Sequence, residues 1–147
     1  MEIWSAYLLP SVYAFAACVA FTFVFNIHGW GKLICGVGGA IGWLVYLLCG
    51  EDILAAFIAA VSIGIFSEVM ARVRRCPVTG YLLVALLPLV PGGIYYAMSY
   101  CVAGETQLFL SALLHTLGMA AALAVGGILA SSVFRRLLQR VERLRRS

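Results

Sequence analysis

Few residues in this chain could do chemistry, and those few sit inside apolar runs. Glu68 stands in IFSEVMARVRR, His115 in ALLHTLG and Asn26 in FVFNIHGW, while Pro88, Pro91, Gly92 and Gly93 interrupt PLVPGGIYYAM. A carboxylate in hydrocarbon is costly and counts as a functional candidate by default. Arg72 follows Glu68 by one helical turn, on the same face and in the order that favours an ion pair. Glu68 therefore reads equally as a proton- or solute-handling group and as half of a structural pair. His115 could relay a proton near neutral pH or simply bond to a neighbouring helix. Asn26 is open between a helix cap and a pathway group. Tyr95 and Tyr96, directly after the glycines, could supply hydroxyls or serve as interfacial anchors.

Other chemistries are missing from the pattern. Cys18, Cys35, Cys49, Cys76 and Cys101 form no CxxC pair and have no histidine at ligand spacing, so no metal site is expected. Cys49 and Cys101 both fall near one expected face and could pair, although free thiols are the default reading. No nucleophile elbow, catalytic carboxylate pair or phosphate-binding loop is present, so neither an enzyme nor an ATP-driven machine is expected. No cofactor and no nucleic-acid partner is expected either.

The elements that must position these groups follow from composition. Of the residues 64% are hydrophobic and only 11% charged, with a mean hydropathy of +1.04. A soluble domain carries roughly a quarter charged residues. The chain therefore reads as an all-α, multi-pass integral membrane protein. With about 20 apolar residues needed per crossing, about five spans can be marked, at residues 4–25, 33–49, 53–71, 81–98 and 108–134. Residues 1–134 form one transmembrane domain, with loops too short for a soluble domain between spans. The first charge is Glu2, unlike the basic start of a secretory signal, so the first span is expected to be retained.

Charge gives the orientation. The 10 basic residues are Lys32, the Arg72, Arg74, Arg75 group, and the arginines beyond Phe134. With five crossings all of them fall on one face, which the positive-inside rule makes cytoplasmic. The N-terminus is then outside and the C-terminus inside. Residues 135–147 place Leu137, Leu138, Val141 and Leu144 at helical spacing among arginines. This basic amphipathic tail suits the headgroups of a lipid bilayer, chiefly as a topology anchor continuing the fifth span.

Two local patterns remain. Gly38 and Gly42 form a GxxxG step in the second span, which allows close helix approach and is read as helix packing. Pro88 to Gly93 break the fourth span. Backbone groups freed by such a break survive in hydrocarbon only where protein, water or solute satisfies them. Broken helices of this kind build solute sites in many secondary transporters, whereas a plain proline kink needs no solute.

Taken in order, FVFN (23–26), GVGGAIGW (36–43), SEVMAR (67–72), Pro77 and PLVPGGIYYAM (88–98) resemble the threonine/serine exporter family. The likeness is to its small membrane subunit, which corresponds to the C-terminal half of the fused exporters. The resemblance implies a secondary exporter of small hydrophilic amino acids or related small carboxylates in the bacterial inner membrane. It also implies a larger membrane subunit of the same family as partner, with a soluble cytoplasmic region. The competing expectation is a non-transporting scaffold subunit that stabilises or localises a partner.

Overall fold

The computed structural model describes the backbone of residues 2–90 and 92–146, and the side chains of residues 7–90, 92 and 94–137. Among the described residues the only regular structure is helix: α1 (Glu2–Val24), α2 (Gly31–Leu48), α3 (Ile53–Arg74), α4 (Val78–Leu86), α5 (Gly93–Val102) and α6 (Thr106–Arg146). A short 3-10 turn, Leu87–Leu89, continues α4. Among the described residues four helices, α1, α2, α3 and α6, are long and apolar enough to cross a membrane. Residues 78–89 and 94–102 pass the same test together and are bent by 41°. Taken as one broken span, they bring the crossings to five.

Most bounds lie one to four residues from the sequence expectation, and two of the differences are instructive. The fourth span starts at Val78 rather than at residue 81, because Pro77 (φ −63°, ψ 133°) occupies the N-cap. Proline suits a helix start, where its missing N–H would have had no partner. The last helix does not stop at residue 134. It runs 41 residues, about 60 Å at 1.5 Å per residue and twice the hydrocarbon thickness. The arginine tail is thus a continuation of α6, although the side chains of Leu138, Val141 and Leu144 lie outside the described residues.

Helix ends in a membrane must satisfy their last carbonyls internally. Four helices here do so by one device, a left-handed residue that lets the chain fold back. After α1, Asn26 (φ 54°) takes this role, with Ile27 N–H donating to Thr22 O at 2.9 Å. After α3 it is Arg75 (φ 54°), with Cys76 N–H to Ala71 O at 2.9 Å. Gly50 and Gly104 do the same after α2 and α5.

Small residues let these helices approach. Gly38 and Gly42 are buried on the side of α2 that meets α3 and α4. A Cβ on Gly38 would lie 3.1 Å from Phe66 and 3.3 Å from the Ala85 methyl, and one on Gly42 would lie 2.6 Å from Ile63 Cγ1. The opposite side of α2 meets α1 through Gly36 and Gly39. Between α3 and α6 the seam is Ala60 and Gly64 against Gly126 and Ala130. A Cβ on Gly126 would lie 2.9 Å from the backbone oxygen of Phe57. Lipid is as apolar as leucine, so contact at this range, not hydrophobicity, holds such helices together. One core cluster joins Ala56, Ala59, Ala60, Ile63, Ala85, Leu89, Met119 and Leu123, and reaches the 3-10 turn through Leu89.

Candidate functional site

The break begins with two absent donors. Pro88 has no N–H for the carbonyl of Val84, and Pro91 has none for that of Leu87. The chain compensates by tightening: Leu87 N–H donates to Val84 O, and Val90 N–H to Leu87 O at 3.1 Å. Val90 is extended (φ −55°, ψ 125°), as a residue before proline is driven to be. Gly92 returns to helical angles (φ −66°, ψ −5°) and α5 starts at Gly93. Pro91 lies outside the described residues.

A cavity of about 330 Å³ opens beside this turn. Pro88, Leu89, Val90 and Gly92 form one wall, Trp43 and Tyr46 of α2 another. Tyr96 of α5 with His115, Thr116 and Met119 of α6 completes it. Four residues singled out in the sequence, Pro88, Gly92, Tyr96 and His115, therefore meet around one space. Tyr95 stacks edge-on against Tyr96 with ring centroids 5.9 Å apart but does not line the cavity. Thr116 is buried, and its hydroxyl donates back to Ala112 O at 2.7 Å. Trp43 buries its indole N–H without a partner among the described residues. An indole nitrogen can only donate, so only an acceptor could satisfy it.

Asn26, Glu68 and Arg72 line no part of this cavity. Asn26 is exposed at the end of α1, where its backbone makes the reversal described above. Glu68 is fully buried in α3 and paired twice. Its Oε2 lies 3.3 Å from Arg72 and its Oε1 3.4 Å from Arg135 on α6. Arg72 also lies over the Phe134 ring, 5.3 Å from its centroid. The group thus fastens α3 to α6 at the basic end of the bundle. Arg135 as a partner was not foreseeable, because sequence spacing reports on one helix and not on which helices touch. The same holds for Trp43, Tyr46 and Met119. Only Thr116, next to His115, carried a local hint.

Cys49 and Cys101 do not pair; all five cysteines are free thiols. Among the described residues no cluster of His, Cys, Asp or Glu could hold a metal ion.

An all-helical bundle of four or five apolar crossings defines a multi-pass membrane protein. The family model described as threonine/serine exporter, ThrE, matches residues 10–133. The chain belongs to that family. It is accordingly a membrane subunit of a threonine/serine-type exporter and not an enzyme. The family's architecture implies a larger subunit working beside it. No curated protein and no solved structure matches the chain.

Proposed function

We propose that the cavity at the broken span is part of the path by which a small hydrophilic amino acid leaves the cell. The observation that carries this reading is the meeting of both sides of the break with His115 and Tyr96 around one space of about 330 Å³. A cavity of that size admits a molecule as small as threonine or serine. Tyr96 and His115 offer polar groups to its amine, carboxylate and hydroxyl, and the unpartnered indole N–H of Trp43 is a donor for an oxygen. Discontinuous helices at such sites present backbone groups to the solute as well.

In this reading the chain lies in a bacterial inner membrane, N-terminus outside and C-terminus in the cytoplasm. Lys32, Arg72, Arg74, Arg75 and the α6 arginines then gather at the cytoplasmic end, and Tyr46, Tyr96 and His115 belong to the outer half. Residues 1–134 act as one membrane domain, and residues 135–147 project from it over anionic headgroups. A larger subunit of the same family supplies the rest of the path. Glu68, Arg72 and Asn26 hold the scaffold and do not touch solute.

The test is solute protection of a thiol placed in the cavity. Gly92→Cys is made with the exposed Cys49, Cys76 and Cys101 changed to serine, and the chain is expressed with its partner subunit. A Cβ at Gly92 meets nothing within 4 Å, so the substitution is tolerated. Labelling by a membrane-impermeant thiol reagent should slow at least about threefold with saturating threonine or serine, as expected for a site occupied at equilibrium. Labelling unchanged by either amino acid would leave the chain as a scaffold with an empty fold in its wall.

A further inference from the structure

Pro88 deprives the Val84 carbonyl of its i+4 donor, and beside the Leu87 N–H that takes one lone pair a second helix reaches it. Cys18 of α1 is fully buried, and its thiol donates to Val84 O at 3.3 Å. To do so it must pass α2. It passes at Gly39, where any Cβ would collide with the Cys18 sulfur. Three features from three helices therefore serve one contact: a thiol in α1, a notch in α2 and a proline-freed carbonyl in α4.

We infer that Cys18 is a positioning residue for the broken span, fixing its first half so that the break, and the cavity beside it, keep their geometry. The two halves of the span are held by different neighbours. α4 and the 3-10 turn pack against α1, α2 and α3, whereas α5 packs chiefly against α6. The Cys18 bond falls four residues before Pro88, on the side held by the bundle core, with Cys35, Tyr81 and Val84 around it. A thiol is a weak donor, but in a low-dielectric interior such a bond is electrostatically stronger than in water. The inference rests on the break belonging to the solute path.

The test compares Cys18→Ser, Cys18→Val and Cys18→Ala in the full exporter, alone and combined with Pro88→Ala. Serine keeps a donor, valine keeps apolar bulk, slightly more than cysteine's, without one, and alanine keeps neither. Efflux from preloaded cells gives KM and maximal rate; melting in detergent gives stability. Cys18→Ser should hold KM within about twofold of the parent, while Cys18→Val and Cys18→Ala raise it about fivefold, the effect of one lost buried hydrogen bond. Pro88→Ala restores an N–H to Val84 O, so in that background removing the thiol should add little to the loss. Such non-additivity is the signature of a shared partner.

The idea is overturned if valine outperforms serine, which would make Cys18 a packing residue, or if the Cys18 and Pro88 effects add in the melting data. If Pro88→Ala exports normally while the melting data remain coupled, the bond stands and the pathway reading of the break falls.

Discussion

Glu68 is a carboxylate with 1% of its side chain exposed, held by two arginines that are 46% and 64% exposed. The asymmetry decides what each partner is worth. Losing one arginine leaves the other in place, so Arg135→Gln should lower stability by about 1 kcal/mol. Losing both strands a buried charge, and Arg72→Gln with Arg135→Gln should cost about 3 kcal/mol or more. Melting of the purified protein in detergent measures both, and equal losses from the single and double variants would contradict the two-partner account. His115 presents the opposite case. It is exposed at the cavity with no ion partner among the described residues. His115→Leu should leave melting within about 0.5 kcal/mol, the range of surface changes, while lowering threonine efflux severalfold. A large drop in melting with unchanged specific efflux would return His115 to a helix-packing role.

At the scale of elements, apolar length was enough to mark the four long helices and the bent pair that can make a fifth crossing, because a bilayer demands runs that a reader can count. PLVPGG marked the break for a similar reason: prolines remove donors wherever they stand. Which helices face one another was not legible. Nothing in GVGGAIGW says that Gly38 and Gly42 face α3 and α4 while Gly36 and Gly39 face α1, since glycine steps of this kind fit any partner. Nor does anything in the sequence join Cys18 to Val84 or Glu68 to Arg135, contacts that exist only once the helices have docked. The α3–α6 seam is the element-scale test. At Gly126 an added side chain meets the Phe57 backbone oxygen, which cannot swing aside. Gly126→Leu should separate these helices and cost about 3 kcal/mol, the upper range for overpacking, seen as loss of monodisperse folded protein. Gly92→Ala, facing open space, should fold like the parent.

For the whole molecule, helix order puts Lys32, Arg72, Arg74, Arg75 and Arg135 towards one end of the bundle and the cavity-lining Trp43, Tyr46 and His115 towards the other. A reporter fused after Ser147 that is active only in the cytoplasm should be active, and one fused before Met1 should not. The reverse result would invert the path. The central claim is that solute passes through the space beside the broken span, and Gly92→Leu addresses it most directly. Its backbone angles suit any residue, a Cβ there meets nothing within 4 Å, and the residue lines the cavity. Efflux of labelled threonine or serine from preloaded cells is measured at matched membrane levels with the partner subunit present. The account predicts normal insertion with export reduced at least about tenfold, a barrier of about 1.4 kcal/mol or more; normal insertion with export at the full rate would contradict it.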